Sequence, residues 1–298
     1  MKHRSHKRGK ALGWTAFFLG PALLVYTVFW MAPIALTAVI SLTDWKGTTA
    51  LSEANFVGLK NYVSLLSDSI LKISIKNNLL YGALMLLLVP VLSFVIAYVI
   101  ENFIRRKAFF RTLAYLPAIL PTIVVVLLWK WIYNPQYGLL NQLLELVGLD
   151  SLTTGWLTNS DTALWAVTFT AIWKTAPVYF VLFLAGLQSV PQDLIEAAVL
   201  DGASRWQTIV HVTLPSIRSV TTIVYTLMFI DVFRVFELVY AMTNGGPGYY
   251  NTEMILTYAY KTTFTNSNAS YGMAISMVLI LVVVAATAIQ LRFNRDDG

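Results

Sequence analysis

The chain alternates between long apolar runs and shorter polar segments. A helix that crosses the ~30 Å hydrocarbon core of a bilayer needs about 20 apolar residues. Six runs reach this length and predict membrane-spanning helices, at about residues 13–40, 78–100, 112–133, 162–187, 220–242 and 271–291. Several contain proline, which membrane helices tolerate when neighbouring helices satisfy the freed backbone groups. The pattern therefore predicts an all-α membrane protein whose six helices pack as a bundle.

Two of the connecting segments have apolar residues at helical spacing. A short surface helix is predicted near residues 61–66, with a plain connecting loop as the alternative reading. An amphipathic helix lying on the membrane surface is predicted at residues 139–146.

The segment 188–218, between the fourth and fifth runs, is polar and amphipathic. Pro191 suits the first turn of a helix, and Gly202 suits a turn that other residues resist. Ser204 fits a capping box that starts a second short helix, which Pro215 is expected to end. The segment thus predicts a helical hairpin that acts as a docking surface, with a membrane-surface hairpin without a partner as the alternative interpretation.

Composition agrees with a membrane protein. Hydrophobic residues make up 57% of the 298 positions, charged residues 12%, and mean hydropathy is +0.65. A soluble domain carries roughly 25% charged residues. The chain has no cysteine, which excludes disulfides and thiolate metal ligands. The first apolar run is too long for a cleavable signal peptide and predicts a retained helix.

The distribution of Lys and Arg predicts the orientation. With the N-terminus inside, the cytoplasmic segments hold thirteen of these residues and the outer segments five. Because cytoplasmic loops are enriched in Lys and Arg, both termini and the segment 188–218 are expected in the cytoplasm. The basic turn at residues 101–111 is expected to face lipid headgroups. The net charge of +6 is thereby explained by membrane lipid, without a nucleic-acid partner.

Apart from Lys130 near the end of the third span, four charged residues lie within the predicted spans. Lys174 is in the fourth, and Asp231, Arg234 and Glu237 are in the fifth. A charge at this depth is costly in lipid, so each should face protein or a water-filled cavity. On one continuous helix Arg234 could pair with either acid. The trio is therefore interpreted either as a cavity wall or gate, or as a self-neutralising strut between helices.

No enzyme signature is present. The chain contains no G-x-x-x-x-G-K-[ST], H-E-x-x-H or G-x-S-x-G motif, and its three histidines form no metal-binding pattern. We therefore predict no catalytic residue, metal site or cofactor. Any energy from ATP would have to come from another subunit.

The segment 188–218 resembles the EAA motif of ABC importer permeases, E-A-A-x3-G-x9-I-x-L-P. Glu196-Ala197-Ala198, Gly202 and Leu214-Pro215 match it, and Val212 replaces the isoleucine. Further runs resemble the carbohydrate-type permeases, close to the maltose large permease and the glycerol-phosphate permeases: residues 131–135, 137–141, 173–174 and 242–247. The chain is similar to the six-helix members, with a type I importer permease fold and a single permease domain over residues 1–298.

The resemblance implies a subunit of a sugar importer in a bacterial or archaeal cytoplasmic membrane. The implied partners are a second homologous permease, two ATPases and an extracytoplasmic solute-binding protein that delivers a sugar, polyol or oligosaccharide. The implied ATPase-coupling residues are Glu196, Ala197, Ala198, Asp201, Gly202, Trp206, Val212, Leu214 and Pro215. The implied solute-pathway residues are Thr175, Tyr179, Met228, Asp231 and Val232.

Two other classes of function remain open at this point. An ion-coupled secondary transporter would use Asp231, Arg234 and Glu237 as an ion or proton relay and would need no ATPase. An intramembrane enzyme is the weaker alternative, because no nucleophile–base pair or metal set is present.

Overall fold

A computed structural model describes residues 17–295, and this part of the chain is helical. Within it the sole β-type pairing is an isolated antiparallel bridge between Thr43 and Phe56. The helices are α1 (Phe17–Ile40), α2 (Lys60–Leu65), α3 (Ser69–Phe103), α4 (Lys107–Ile119), α5 (Thr122–Ile132), α6 (Leu139–Leu146), α7 (Ala163–Gln188), α8 (Gln192–Leu200), α9 (Arg205–Ser216), α10 (Arg218–Phe233), α11 (Glu237–Thr243), α12 (Ile255–Tyr260) and α13 (Ala269–Arg295). Residues 13–16 of the first predicted run lie outside the described residues.

Four helices are long and apolar enough to cross a membrane: α1, α3, α7 and residues 269–290 of α13. Two further pairs pass the same test jointly but are sharply bent, by 94° between α4 and α5 and by 72° between α9 and α10. Length and composition therefore give four spans, or up to six if each bent pair crosses once. The short helices predicted at 61–66 and 139–146 are confirmed as α2 and α6.

The third predicted span, at residues 112–133, is divided into two helices. Helix α4 starts at Lys107 and stops at Ile119, Leu120 is extended with ψ 132°, and α5 begins after Pro121. The reason is the proline, whose ring disfavours helical geometry in the residue before it and which has no N–H to donate.

The prediction of a continuous fifth helix over residues 220–242 is wrong. Helix α10 ends at Phe233, and Phe236 has φ −143° and ψ −68°, outside the helical region. Helix α11 then begins at Glu237. The three charged residues of this region are consequently not on one helical face. Within the described residues no ion pair joins Arg234 to either acid, so the self-neutralising strut is not formed.

Helix α3 starts earlier than the apolar pattern indicates, at residue 69 rather than about 78. Asp68 is its N-cap, and Asp68 Oδ1 accepts hydrogen bonds from the backbone N–H groups of Ile70 at 2.8 Å and Leu71 at 3.0 Å. Such a cap satisfies donors that a helix start leaves free. The polar residues 69–77 therefore extend the helix beyond the length that lipid requires.

The described residues divide into two compact units. One comprises residues 17–67 and 259–278. In it, Asn61 Nδ2 donates to the carbonyls of Ser41 and Thr43, both at 2.8 Å, and the hydroxyls of Thr43 and Ser270 lie 2.8 Å apart. The backbone N–H of Asn55 donates to Asp44 and lowers the pKa of that exposed carboxyl. This unit is thus held by hydrogen bonds around the end of α1.

The second unit comprises residues 68–258 and 279–295 and contains most of the buried core. Helices α3 and α7 pack along one another, and α10 packs against α3. Ser93 Oγ on α3 donates to the Ala176 carbonyl of α7 at 2.8 Å, and Asn78 Nδ2 donates to the Val232 carbonyl of α10 at 3.1 Å. Such hydrogen bonds between helices add to the close packing that stabilises membrane bundles.

Replacing Gly82 with alanine is expected to lower the thermal stability of the purified chain. A Cβ at residue 82 would lie 2.5 Å from Val232 Cγ1, and a β-branched side chain has little rotameric freedom to move aside. Overpacking of this kind costs about 1–3 kcal/mol. The matched control is Gly20→Ala, where nothing lies within 4 Å. Unfolding monitored by tryptophan fluorescence in detergent gives the comparison, and equal midpoints for the two variants would contradict the close-packing account.

Candidate functional site: the 188–218 hairpin and the mid-helix cavity

The segment 188–218 forms the predicted helical hairpin. Pro191 is the N-cap residue of α8, one position before the first turn, and Asp201 caps its C-terminal end. Gly202 has φ +81°, a left-handed conformation that L side chains rarely adopt. No other atom lies within 4 Å of a Cβ built there, so backbone conformation alone requires the glycine.

The predicted capping box at the start of α9 is confirmed. Ser204 Oγ accepts from the Gln207 N–H at 3.3 Å, and the Ser204 N–H donates to Gln207 Oε1 at 2.8 Å. This reciprocal pair fixes the direction in which α9 leaves the turn.

The predicted break before the fifth span is present, but α9 ends at Ser216, one residue after Pro215. A π turn at Ile209–Thr213 shifts the hydrogen bond of the Leu214 N–H to the Ile209 carbonyl. The wider turn accommodates a proline, which clashes with a regular helix, and the helix continues to Ser216. The 72° bend then falls at Ile217, between α9 and α10.

The hairpin exposes a row of apolar side chains. Leu200 is 87% exposed, Trp206 71%, Val199 61% and Leu194 49%, and Glu196 is exposed beside them. We call these five residues the α8–α9 surface. Of the other implied coupling residues, Ala198 and Val212 are half-buried, whereas Ala197, Asp201, Gly202, Leu214 and Pro215 are exposed. Several large apolar side chains exposed on one short hairpin are typical of a protein-binding site.

The basic turn before α4 differs from its sequence interpretation. Lys107 Nζ lies 2.8 Å from Glu101 Oε1, and Arg111 Nη2 lies 2.5 Å from Glu101 Oε2. Two of the residues assigned to lipid headgroups are therefore paired with a carboxylate of α3. These ion pairs could have been inferred from the sequence, because Glu101 is a single acid close to four basic residues. The count of Lys and Arg that predicted the orientation ignores acidic residues.

The break between α4 and α5 and the break between α10 and α11 both adjoin a common cavity of about 470 Å³. Helices α3, α5, α7, α10 and α11 and the α10–α11 connection contribute its lining: Tyr81, Met85, Thr122, Ala171, Lys174, Thr175, Asp231, Arg234, Val235, Phe236, Glu237 and Leu238. All four charged residues of the predicted fourth and fifth spans lie on it. This confirms that they face protein or a cavity, and discontinuous helices around such a cavity are common in membrane transporters.

Lys174 connects α7 to the break between α4 and α5. Its Nζ donates to the Leu120 carbonyl at 3.1 Å. The extended geometry of Leu120 and the missing N–H of Pro121 remove the regular helical pairing in this region. The ammonium thus satisfies a backbone acceptor at the bend, a role that the sequence left open.

The implied pathway residues occupy two different environments. Thr175 and Asp231 line the cavity. Tyr179 is 2% exposed and its hydroxyl donates to Asp231 Oδ2 at 2.7 Å, so it lies directly behind that carboxylate. Met228 and Val232 are buried in the core, outside the cavity lining, and their role in a pathway stays a prediction.

Two of the sequence runs that carry the resemblance meet at a second concavity. A pocket of about 390 Å³ is lined from the first run by Tyr133, Asn134 and Pro135 and from the second by Met242, Thr243, Gly246 and Pro247. Asn134 Oδ1 accepts from the N–H groups of Gln136 at 2.9 Å and Tyr137 at 3.1 Å, which fixes the turn after α5. These runs therefore build a defined loop structure at the end of α5.

A bundle of apolar helices around a charged cavity defines a membrane transport protein of the multi-pass class. The chain belongs to the family of binding-protein-dependent transport system inner membrane components, whose family model matches residues 89–296. The family resemblance found in the sequence is thereby confirmed, and the chain is a membrane permease component.

Relatives match over nearly the whole chain. The probable ABC transporter permease protein YurN of Bacillus subtilis is 36% identical over 278 residues, covering 93% of this chain and 94% of that protein. The trehalose/maltose transport system permease protein MalF of Thermococcus litoralis is 32% identical over 300 residues, with 99% and 97% coverage. The fold matches a crystal structure of a bacterial alginate ABC transporter in complex with a pentasaccharide-bound periplasmic protein, with TM-score 0.84, 23% identity and coverage of 98% and 96%.

Proposed function

We propose that this chain is the membrane-spanning permease of an ATP-driven importer for a sugar, polyol or oligosaccharide. The observation that carries the proposal is the α8–α9 surface, an exposed apolar row with one carboxylate on a capped hairpin that bears the EAA motif. The names of the relatives support the solute class, since they are permeases for trehalose and maltose and for other sugars.

In this proposal α4 with α5 makes one crossing of the membrane and α10 with α11 makes another, which together with α1, α3, α7 and α13 gives six spans in a single permease domain. Both termini and the hairpin are cytoplasmic, as the thirteen-to-five distribution of Lys and Arg supports. The hairpin docks on an ATPase subunit, with Glu196 facing a basic residue and Trp206 packed in an apolar cleft. The complete importer contains a second permease, two ATPases and an extracytoplasmic solute-binding protein.

The solute passes through the 470 Å³ cavity in this proposal. Its wall combines the hydroxyl of Thr175 with the charged groups of Asp231 and Arg234. Sugar hydroxyls both donate and accept hydrogen bonds, so a wall with both kinds of partner suits them better than an apolar one. Tyr179 supports Asp231 from behind, and Met228 and Val232 hold α10 in the core.

Reconstituted proteoliposomes test the function. The chain is assembled with its second permease, the ATPases and the solute-binding protein, and uptake of the sugar that copurifies with the binding protein is followed. We expect uptake to require both ATP and the binding protein, to stop with vanadate and to persist with a protonophore.

The opposite pattern, uptake that resists vanadate and collapses with the protonophore, would refute the proposal. It would favour the ion-coupled transporter, with Asp231, Arg234 and Glu237 as an ion or proton relay. The relatives do not favour this alternative, because the Bacillus subtilis relative is named a probable ABC transporter permease protein.

A further inference from the structure

Glu101 lies where three helices meet at the base of the hairpin. It is in the last turn of α3, and its two oxygens bind separate partners. Oε1 accepts from Lys107 Nζ at 2.8 Å, and Oε2 accepts from Arg111 Nη2 at 2.5 Å, both on α4. Oε2 also accepts from Gln188 Nε2 at 3.5 Å, on the last residue of α7. One carboxylate thus joins α3, α4 and α7.

The environment of Glu101 makes these contacts stronger than ordinary surface ion pairs. Its side chain is only 22% exposed, and that of Arg111 is 33% exposed. Partial burial reduces screening by salt, and a carboxylate shared between two cations is held by charge-assisted hydrogen bonds on both oxygens. Exposed pairs, in contrast, contribute little. Removing the negative charge would leave Lys107 and Arg111 next to one another without compensation.

The same region is connected to the hairpin on two sides. Helix α7 ends at Gln188, and α8 begins four residues later at Gln192. On the other side, the Arg205 guanidinium of α9 lies over the Phe103 ring at the end of α3, 5.3 Å from its centroid. A pocket of about 310 Å³ between these connections is lined by Glu101, Lys107, Gln188, Gln192, Ile195 and Thr208, among others.

We infer that Glu101 is a positioning residue for coupling. Its bonds hold the ends of α3 and α7 and the start of α4 together. When the hairpin is displaced, the bent α4–α5 pair therefore moves with it. Without these bonds the hairpin and α4 move independently, and a movement of the ATPase-bound hairpin no longer changes the conformation of the cavity. The inference rests on the proposed function and goes beyond it by naming the connection between hairpin and bundle.

The test compares ATPase activity of the reconstituted complex with and without solute-loaded binding protein. Glu101→Gln keeps the size of the side chain and removes its charge. We expect the ratio of stimulated to basal activity to fall about tenfold, the change in equilibrium that loss of a charge-assisted hydrogen bond produces. Complex assembly and KM for ATP are expected to stay at wild-type values. The matched control is Glu145→Gln in α6, an exposed acid with no ion pair among the described residues.

Charge reversal separates positioning from general stabilisation. Glu101→Lys should lose stimulation, and adding Lys107→Glu and Arg111→Glu should restore at least half of it. An unchanged ratio of stimulated to basal activity in Glu101→Gln overturns the inference. A fall in this ratio that parallels loss of complex assembly also overturns it. So does a failure of the triple variant, Glu101→Lys with Lys107→Glu and Arg111→Glu, to restore stimulation. Absence of stimulation in the wild-type complex is a different result, since it refutes the proposed function and the inference falls with it.

Discussion

Gly202→Pro is expected to abolish solute-stimulated ATP hydrolysis and uptake while the chain still inserts into the membrane. Residue 202 has φ +81°, whereas proline is restricted to φ near −65°. The substitution also removes the N–H that donates to the Val199 carbonyl at 3.1 Å. The turn between α8 and α9 must then change its path, and the exposed residues on either side can no longer form one surface. We expect uptake to fall by more than about tenfold, since one incompatible backbone residue shifts an equilibrium by at least 1–3 kcal/mol.

Gly148→Pro is a closely matched control. Gly148 has φ +76°, nothing lies within 4 Å of a Cβ there, and its N–H donates to the Glu145 carbonyl at 3.0 Å. The two substitutions therefore disturb the backbone alike, at the ends of α6 and of α8. Glu196→Lys adds a second test of the hairpin, because it reverses one exposed charge without changing the backbone. Copurification of ATPase with chain is measured for all three variants. Normal copurification and uptake in Gly202→Pro and Glu196→Lys would exclude the hairpin as the ATPase-binding element.

Local signals in the sequence were sufficient for much of the fold. The apolar runs located every long helix, and the spacing of apolar residues located α6 to the residue. The capping box at Ser204 was readable because both partners lie within one turn. The N-cap at Asp68 also depends only on neighbours in sequence, because Asp68 accepts from the N–H groups two and three residues later. Reading Asp68 as an N-cap would have placed the start of α3 correctly. Features set by neighbours in sequence can be predicted without knowing the tertiary structure.

The helix breaks could not be predicted in this way. Pro90 and Pro177 lie inside α3 and α7, which continue through them, whereas Pro121 separates α4 from α5. Whether a proline breaks a helix depends on which distant groups can satisfy the freed backbone groups. At the break between α4 and α5 one such group is Lys174, 54 residues from Leu120. The break at Arg234 has no proline at all, and we find no local cause for it in the residue pattern.

The candidate site shows the same division. The sequence identified the charged residues that line the cavity, because a charge within an apolar run must avoid lipid. It did not identify their partners. The sequence offered Arg234, three residues away, as a partner that Asp231 could have, whereas Asp231 accepts from Tyr179, 52 residues away on another helix. Likewise Glu101 was not recognised, because its partnership with Gln188 exists only once α3 and α7 are packed.

Lys174→Met is expected to stop uptake through a different step from the hairpin variants. The substitution keeps a long side chain but removes the donor to the Leu120 carbonyl and one positive charge from the cavity wall. The hydrogen bond to the Leu120 carbonyl is part-buried, and leaving such an acceptor unsatisfied costs up to about 1–3 kcal/mol. We expect the α4–α5 bend to change in response to the lost hydrogen bond, because Leu120 can then reorient its carbonyl toward another donor. Since this bend forms part of the cavity wall, we expect uptake to fall at least about tenfold. ATPase copurification should remain normal, because the α8–α9 surface is unchanged.

Lys174→Arg and Lys130→Met distinguish the reasons for such a loss. Arginine retains charge and donors, and at residue 174 it should preserve most uptake. Lys130 is an exposed lysine of α5 without an ion pair among the described residues, so its replacement controls for removing a lysine from the same bent pair. Uptake of the copurifying sugar is measured in proteoliposomes beside the copurified amount of ATPase. Wild-type uptake in Lys174→Met would show that neither the bend nor the solute depends on this ammonium. A loss of uptake with parallel loss of the ATPase would place the defect in assembly rather than in the cavity.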